Sequence, residues 1–452
     1  MEVISQAEKK VLSILGKPAH SENGYRLIRY CIQNRVEDGI LLFNILTREL
    51  LLLREEEFEN LLSLQELKDR WFVVPEQLEE KKKAEMVRWM VRSTARKKKN
   101  ITHYTIMTTT DCNARCFYCF EKGRSRIPMS EETAHKTARY IREHCGGEKV
   151  SITWFGGEPL FNRKAMDIIS ADLQAAGVDF HSAITTNGYL FDEEAVQKAK
   201  MLWNIQRVQI TLDGTETVYN RSKAFIYRDG GSPYQVVMGA IERLLEQGIP
   251  VNIRLNLDLY NAEDLMKLAD ELAGRFGGKK GFTVYTHHLF DGEIAVADAH
   301  TDEEWTPRFE AMHRLNSRLE SYGLRKIPGL RKKLKQNQCM ADAGSALVIA
   351  PTGDIGLCEH HSDSEFIGHI DREELDQEAI RSWQETSPET PECYECIWYP
   401  ECLRLKRCTL ACVCFRHQLE ADLRSVKEAM AREYRLWKNH AQQEEPENQM
   451  LC

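Results

Sequence analysis

The sequence predicts an α/β fold: a mostly parallel sheet preceded by a small α+β unit and followed by a cysteine-rich segment. Three observations support this. From residue 104 onward, short apolar runs alternate with longer amphipathic ones, as in repeated strand-helix-strand units. Polar or glycine-rich stretches come directly after several predicted strands. Eight of the 14 cysteines lie between residues 339 and 414.

The first unit, residues 1–98, is predicted to contain a small antiparallel sheet and helices. Residues 25–53 alternate between apolar and polar and include the turn VEDG, and helical patterns follow at 55–63 and 76–92. Residues 81–99 carry nine Lys or Arg against the single Glu85. This basic run is interpreted either as a solvated helix face and linker or as a contact for an acidic peptide.

The central unit, residues 99–300, is predicted to be the parallel sheet. Strands are predicted at 104–110, 150–155, 181–186, 207–212, 251–257 and 282–287, and helices at 130–144, 191–202, 234–247 and 261–275. Right-handed crossovers of this kind form either a barrel or an open wound sheet. In a barrel-like α/β fold, the active-site groups lie at the carboxyl ends of the strands.

The remainder is predicted as a polar helical connector over residues 301–336 and a cysteine-rich domain over residues 337–452. The last 115 or so residues show little regular pattern. Such a segment is expected where metal ligation replaces a large apolar core. The tail HAQQEEPENQ is predicted to be disordered.

Composition narrows the class of protein. A net charge of -8 argues against general nucleic-acid binding. The first residues do not resemble a secretory signal and GILLFNIL is too short to span a bilayer, so we expect a cytoplasmic protein without membrane segments. In a reducing compartment, clustered cysteines indicate metal binding or catalysis rather than disulfides.

The stretch DCNARCFYC carries Cys112, Cys116 and Cys119 in a C-x3-C-x2-C spacing. Three thiolates on one loop can each bind a different iron of a [4Fe-4S] cluster, which leaves the fourth iron open for a ligand. The alternatives are a zinc site completed by a distant residue, or inert buried thiols.

This spacing after a first strand, with Tyr118 before the third cysteine, resembles the signature of radical S-adenosylmethionine (SAM) enzymes. The resemblance implies a partial (β/α)6 TIM-like barrel. It also implies that SAM binds the open iron and is cleaved to a 5'-deoxyadenosyl radical. The motif GGEP at 156–159 resembles the element with which that family holds the methionine amine, so Gly156, Gly157 and Glu158 become cofactor-binding candidates.

Four further residues are candidates for contact with the cofactor or the substrate. By the same resemblance, Asn187 after the third strand and Asp213 after the fourth lie near the ribose or the substrate. Ordinary turn chemistry explains both equally well, because Asn-Gly and Asp-Gly are common turn pairs. Arg221 and Arg254 are possible partners for a carboxylate.

The C-terminal cysteines resemble the SPASM extension of radical SAM enzymes, which holds two auxiliary [4Fe-4S] clusters and is found mainly in enzymes that act on peptides. The resemblance assigns Cys339, Cys358 and Cys408 to one cluster and Cys393, Cys396, Cys402 and Cys414 to the other. Cys412 can complete the first cluster or replace Cys414. If it does neither, one auxiliary cluster keeps an open iron that could bind a substrate thiolate. Position 406 is Lys where the family commonly has a cysteine, which leaves these assignments open. One or two zinc sites are the alternative.

Taken together, the resemblance implies a maturase of ribosomally made precursor peptides that forms a cysteine thioether. The first unit resembles a peptide-recognition element that binds the leader by strand addition, although a capping domain is the other interpretation. A flavodoxin or ferredoxin-like reductant is implied as a partner. Carbon-carbon or ether cross-linking, epimerisation and anaerobic sulfatase maturation remain alternatives, as does a non-catalytic iron-sulfur or zinc scaffold.

Overall fold

The computed structural model describes residues 1–18, 20–95, 100–226, 231–289, 302–337, 339–361, 365–407 and 416–448. The N-terminal unit contains β1 (Glu2–Ser5), α1 (Lys9–Leu15), β2 (Tyr25–Leu27), β3 (Cys31–Val36), β4 (Gly39–Asn44), β5 (Glu49–Leu53), α2 (Glu55–Glu59), a 3-10 turn (Leu61–Ser63), α3 (Gln65–Asp69), β6 (Val73–Pro75) and α4 (Glu80–Ala95). The strands form an antiparallel sheet in the order β1-β5-β4-β3 and a separate β2-β6 pair.

The predicted N-terminal sheet is therefore present, with two differences. The strand that begins at residue 25 joins β6 rather than the main sheet. The outer strand beside β5 is instead β1, which the pattern did not indicate. The hairpin of β3 and β4 turns at Glu37 and Asp38, within the predicted VEDG turn.

The central part follows the predicted alternation closely. It contains β7 (His103–Met107), α5 (Glu131–His144), β8 (Val150–Phe155), a 3-10 turn (Pro159–Asn162), α6 (Arg163–Ala175), β9 (Phe180–Thr186), α7 (Glu193–Met201), β10 (Ile205–Leu212), α8 (Glu216–Lys223), α9 (Pro233–Glu246), β11 (Val251–Leu257), α10 (Ala262–Phe276), β12 (Phe282–His288) and α11 (Asp302–Ser321). Each of the six strands from β7 to β12 pairs in parallel with its neighbour.

Residues on these strands alternate between the two faces of the sheet. In β8 and β9 every second residue is buried and the residues between them are half-buried. Because side chains of a strand alternate between faces, one face packs in the large apolar core with α5, α6, α9 and α10. The opposite face carries polar side chains, and there the Tyr285 hydroxyl donates to Gln209 across 2.8 Å.

The C-terminal part extends the same sheet. It contains a 3-10 turn (Met340–Asp342), β13 (Ala346–Ile349), β14 (Asp354–Gly356), a 3-10 turn (Glu359–His361), β15 (Gly368–His369), α12 (Gln377–Trp383), α13 (Pro391–Glu395), a 3-10 turn (Tyr399–Glu401) and α14 (Arg416–Asn448). The sheet order is β12-β11-β10-β9-β8-β7-β13-β14-β15, with β13 parallel to β7. The fold is thus an α/β sheet whose six βα units continue into the C-terminal extension.

The expectation of little regular structure at the C-terminus was wrong, because α14 occupies 33 residues and includes most of the tail predicted to be disordered. Leu423, Val426, Met430, Tyr434 and Trp437 contact the core of the N-terminal unit. Their spacing of three or four residues is that of one helix face. The two ends of the chain therefore share one core.

Candidate active site

The three-cysteine loop leaves the carboxyl end of β7 and is closed at its base. Thr110 N donates to Ile127 O across 3.0 Å, and Met129 N donates to Thr108 O across 2.9 Å. Cys112, Cys116 and Cys119 lie inside this closed loop and are all half-buried. The structure thus holds the predicted thiols together at the end of the sheet where parallel strands present functional groups.

The donor chemistry of this loop fits an iron-sulfur cluster. Burial raises the pKa of the Cys112 thiol to about 12, with smaller contributions from the Glu158 carboxylate and from Cys116 and Cys119. Thiolates in this position therefore need a bound cation to compensate their charge. Within the described residues no three metal-binding side chains converge on one ion, but a cluster takes each thiolate on a different iron and does not require such convergence.

The two glycines of GGEP pack directly against the backbone of the cysteine loop. Gly157 N donates to Thr109 O across 3.0 Å and Glu158 N donates to Asp111 O across 2.9 Å. A Cβ atom on Gly156 would lie 2.2 Å from Thr109 O, and one on Gly157 would lie 2.3 Å from Asp111 O. Only glycine permits this approach, so the motif helps to position the cysteine loop.

Glu158 is fully buried and its carboxylate is held by three donors. Thr186 Oγ1 and Leu160 N donate to Oε1 across 2.7 and 3.1 Å, and Asn187 N donates to Oε2 across 2.8 Å. Burial raises the pKa of Glu158. Glu158 therefore positions Asn187, and its predicted contact with an ammonium group stays a prediction.

Asn187 lies beside the cysteine loop, and its predicted contact with the ribose or the substrate stays a prediction. Its side-chain amide donates to Asn113 Oδ1 across 2.7 Å and approaches Cys112 Sγ at 3.8 Å. Asn187 also makes a turn contact, because its Oδ1 accepts from Tyr189 N across 3.0 Å. Asn187 thus both stabilises the turn after β9 and lies close to the cysteines.

Tyr118 and Asp213 meet in a buried polar cluster. The Tyr118 hydroxyl donates to Asp213 Oδ2 across 2.6 Å, and Lys223 Nζ donates to the Tyr118 oxygen across 2.7 Å. Lys223 also pairs with Asp213 at 3.2 Å, with side-chain exposures of 4% and 0%. Asn256 Nδ2 completes the group by donating to Asp213 Oδ1 across 3.1 Å.

The electrostatics of this cluster favour a charged Lys223. Burial alone would lower the pKa of Lys223, but the Asp213 carboxylate together with the Cys116 and Tyr219 side chains raises it. Burial and the same carboxylate raise the pKa of Tyr118 well above its ordinary value. The Tyr118 hydroxyl therefore stays protonated and ties the cysteine loop to β10 and α8.

The two candidate arginines lie apart from each other. Arg221 is exposed on α8, and the residue of that helix end which enters the buried cluster is Lys223. Arg254 lies on the polar face of β11, where its Nε donates to Asn256 Oδ1 across 2.9 Å and its Nη2 lies 3.0 Å from His287 Nδ1. Arg254 thus contacts the buried polar cluster of Tyr118, Asp213 and Lys223 through Asn256. Among the described residues, no contact links Arg221 to that cluster.

The C-x2-C-x5-C cysteines share one cavity. Cys393, Cys396 and Cys402 line a space of about 280 Å³ together with Arg88 and Glu389. Cys339 lines a different cavity of about 480 Å³ below β7 and β8, and Cys358 packs against the large core. Cys408, Cys412 and Cys414 lie outside the described residues. The structure brings three predicted ligands together and leaves the remaining assignments as predictions.

Sequence reasoning missed Lys223, Asn256 and Asn113. Asn256 sits at the end of a predicted strand and could have been suspected on that ground alone. Lys223 and Asn113 gave no comparable signal. Their contacts with the site come from a helix end and a loop that meet only in the folded chain.

Comparison with known proteins agrees with this geometry. The sequence model described as the Radical SAM superfamily matches residues 106–272. A probable GTP 3',8-cyclase of Archaeoglobus fulgidus is 31% identical over 158 residues, which are 34% of this chain and 49% of that protein. The sporulation killing factor maturation protein SkfB of Bacillus subtilis is 24% identical over 218 residues, which are 48% of this chain and 50% of that protein. This chain thus covers about half the length of each of these relatives.

Two solved structures share the fold. That of anSMEcpe with bound AdoMet and Cp18Cys peptide has a TM-score of 0.54 at 14% identity and covers 75% of this chain and 99% of its own. That of Streptococcus suis SuiB bound to precursor peptide SuiA has a TM-score of 0.51 at 13% identity and covers 84% of this chain and 94% of its own. Among the described helices, none has the length and apolarity needed to span a membrane. Residues 106–272, which include the three-cysteine loop and GGEP, thus match the Radical SAM superfamily.

Proposed function

We propose that this chain is a radical SAM enzyme that modifies a ribosomally made precursor peptide by hydrogen abstraction. The observation that carries the proposal is the packing of Gly156 and Gly157 against the closed loop of Cys112, Cys116 and Cys119 at the carboxyl end of the sheet. The two motifs lie more than 30 residues apart in the chain, and the fold places them in backbone contact.

Cys112, Cys116 and Cys119 would hold a [4Fe-4S] cluster, which with bound SAM supplies a 5'-deoxyadenosyl radical. The residues of this chain orient that group. Tyr118, fastened to Asp213 and Lys223, fixes the segment between the second and third cysteines. Glu158 holds Asn187 beside Cys112. These side chains are already fixed before a cofactor binds, so binding loses less conformational entropy than it would at a flexible site.

A peptide substrate is favoured by two observations. The relative SkfB is a maturation protein, and the structures of anSMEcpe and SuiB that share this fold were solved with bound peptides. The open face of β9 to β12 also carries polar, half-buried residues that suit an extended peptide. The likeness to GTP 3',8-cyclases covers a smaller share of the chain than the likeness to SkfB.

The finer parts of the proposal concern the product and the partners. We propose a cysteine thioether as the product, with the leader segment bound at the unit of residues 1–98 and a flavodoxin or ferredoxin-like protein as electron donor. We propose three further units after residues 1–98: a central unit of residues 99–300, a connector of residues 301–336 and a cluster domain of residues 337–452. The cavity shared by Cys393, Cys396 and Cys402 supports auxiliary clusters in the last of these. We propose a reducing, cytoplasmic location, in which clustered thiols stay reduced and available for iron.

The first experiment measures cofactor cleavage. Anaerobically purified, iron-loaded protein is incubated with SAM and dithionite, and 5'-deoxyadenosine is quantified by liquid chromatography. We expect release by the wild type and none by the Cys116→Ala variant, with Cys145→Ala as a control on a buried cysteine outside the loop. Zinc without iron at residues 112–119 would refute the proposal and favour a scaffold.

The second experiment identifies the bond. A small peptide encoded beside this chain is co-expressed with it and analysed by mass spectrometry. A loss of two hydrogens that maps to a cysteine supports the thioether. The same loss without cysteine involvement indicates a carbon-carbon or ether cross-link, and an unchanged mass with an inverted residue indicates epimerisation. Conversion of GTP in place of peptide would contradict the peptide substrate.

A further inference from the structure

Helix α4 of the N-terminal unit packs against the C-terminal segment that carries the C-x2-C-x5-C cysteines. Tyr399, between the second and third of these cysteines, is buried, and its hydroxyl oxygen lies 3.0 Å from Glu85 Oε1 of α4 and 2.9 Å from Glu389 Oε1, so it can donate to either carboxylate. Lys81 of the same helix lies over the Tyr394 ring, 3.4 Å from its centroid. The segment between Cys393 and Cys402 therefore rests on α4.

Arg88 is the residue of α4 that reaches the cysteine cavity itself. Its Nη2 donates to the backbone carbonyl of Cys402 across 2.7 Å, and its Nη1 lies 3.4 Å from Glu389 Oε1. Its guanidinium also stacks over Tyr399 at 4.7 Å from the ring centroid. The side chain is only 15% exposed and lines the same cavity as Cys393, Cys396 and Cys402.

One turn further along α4, Arg92 makes a parallel contact with the other cysteine segment. Its Nη2 lies 3.4 Å from Asp342 Oδ2, and the Asp342 side chain is fully buried. Asp342 Oδ1 in turn accepts a hydrogen bond from Cys339 N across 3.1 Å. Residues four apart lie on one face of a helix, so a single face of α4 touches the segments of both Cys339 and Cys402.

We propose that α4 is part of the auxiliary cysteine site and that Arg88 is a positioning residue that adds positive charge to the cavity lined by Cys393, Cys396 and Cys402. The wall of this cavity also carries Arg404, Glu389 and Glu392. This inference rests on the proposed function, in which those cysteines hold an iron-sulfur cluster. A cluster's reduction potential depends on nearby charge, because a cation stabilises the more negative reduced form. Arg88 therefore raises the potential, and Glu389 in the same cavity wall lowers it.

The consequence is a physical link between the N-terminal unit and the redox centre. Arg88 belongs to a helix whose apolar face packs in the core of the N-terminal sheet through Ala84, Val87 and Val91. A ligand bound to this sheet would therefore contact the same packed unit that holds the cation beside the cysteines. The N-terminal unit thus contributes to the auxiliary site directly, beyond any role in binding a peptide.

The test is a redox titration followed by electron paramagnetic resonance on the full-length, iron-loaded protein. The auxiliary signal is assigned as the one that the Cys393→Ser variant loses. Arg88→Gln removes the cation and Glu389→Gln removes the anion from the same wall. Arg88→Lys retains the charge. Lys82→Gln is the matched control, because Lys82 is 70% exposed on the same helix and pairs only with Glu79 among the described residues.

We expect Arg88→Gln to lower the ratio of reduced to oxidised auxiliary cluster about tenfold at a fixed potential, which is about 59 mV for one electron. Glu389→Gln should shift the potential upward, whereas Arg88→Lys and Lys82→Gln should leave it near the wild-type value. An electrostatic role predicts shifts of opposite sign in the reduction potentials of the two glutamine variants. Damage to the fold would instead shift both potentials in the same direction.

The inference is overturned if the reduction potentials of Arg88→Gln and Glu389→Gln both equal that of the control, or if both potentials shift in the same direction. It is also overturned if no iron binds between Cys393 and Cys402. If Arg88→Gln does not fold, Glu389→Gln decides alone: an upward shift supports the inference and no shift overturns it. Release of 5'-deoxyadenosine by the same samples is measured separately. If the reduction potentials of the variants equal that of the wild type while 5'-deoxyadenosine release is normal, this inference is refuted and the proposed function stands.

Discussion

The hydroxyl of Tyr118, between the second and third cysteines of the loop, donates a hydrogen bond to Asp213 at the end of β10 across 2.6 Å. Lys223 binds both groups, at 2.7 Å from the Tyr118 oxygen and 3.2 Å from Asp213 Oδ2. This contact joins the cysteine loop, which follows β7, to β10, which lies three strands away in the sheet. The geometry of the loop therefore depends on residues about 100 positions away in the chain.

The buried ion pair predicts a large loss of stability for Lys223→Met. Removing one partner leaves the Asp213 carboxylate buried without its cation, which costs about 3–5 kcal/mol. The urea midpoint, followed by circular dichroism, should fall accordingly, while Lys267→Met on the exposed face of α10 should change little. The double variant Lys223→Met/Asp213→Asn should regain much of the loss. No recovery would contradict the electrostatic explanation.

The packing of GGEP predicts that Gly157→Ala displaces the cysteine loop. The new methyl group would lie 2.3 Å from Asp111 O, so backbone atoms must move. We expect a destabilisation of about 1–3 kcal/mol, as for other overpacked sites, and less iron bound per chain. Gly274→Ala in α10 is the control, because its Cβ meets no atom within 4 Å, and it should stabilise by about 0.5–1 kcal/mol. Unchanged iron content in Gly157→Ala would argue against the positioning role.

The three donors around Glu158 predict that Glu158→Gln is not a neutral change. A glutamine amide offers only one acceptor oxygen, so its NH2 group must face Asn187 N, Leu160 N or the Thr186 hydroxyl. A buried donor left unpaired costs about 1–3 kcal/mol. Denaturant unfolding should show this loss, with the exposed Glu373→Gln as control. Equal midpoints would mean that the carboxylate is not needed in its ionised form.

The half-buried imidazole of His288, whose two ring nitrogens are shielded from solvent, predicts a pH dependence of stability. Among the described residues both of its ring nitrogens lack a hydrogen-bond partner, and the rings of Trp305 and Phe309 pack edge-on against it at 5.1 and 4.8 Å. Burial lowers the pKa of His288 from 6.5 to about 4. The folded chain therefore resists protonation in a range where the unfolded chain accepts it.

For this group, stability is fully present above pH 6.5 and is lost as the pH falls toward 4. The loss amounts to at most about 3 kcal/mol, at 1.36 kcal/mol for each pKa unit. The unfolding free energy of wild type and His288→Phe should be compared at pH 7 and pH 4.5, and the wild type should lose more. His313→Gln, exposed on α11, should follow the wild type. Parallel curves for wild type and His288→Phe would refute the burial argument.

The strands of the central sheet could be predicted from the sequence because their signal is local. All six predicted strands from 104 to 287 correspond to β7 to β12, with boundaries that differ by a few residues. Apolar alternation and the helices between strands fix both the element type and the parallel order. The positions of the cysteine loop, GGEP and Asn187 follow, since all three come after consecutive strands.

The ends of the chain were harder, because their structure depends on contacts between distant segments. α14 has a continuous apolar face that packs against the N-terminal core. Because the helix is rich in charged residues, the sequence pattern alone did not indicate this face. The addition of β13 to β7 joins segments more than 240 residues apart. Such pairings leave no trace in local periodicity.

The sequence by itself determined the element types of the central sheet and the three thiols on one loop, because periodicity and spacing are properties of neighbouring residues. The tertiary structure decided that Lys223 would neutralise Asp213 and that Arg88 would reach Cys402. A single charge on a helix has no preferred partner in the sequence. Burial selects the partner, since only a paired charge can be held away from water at an acceptable free energy.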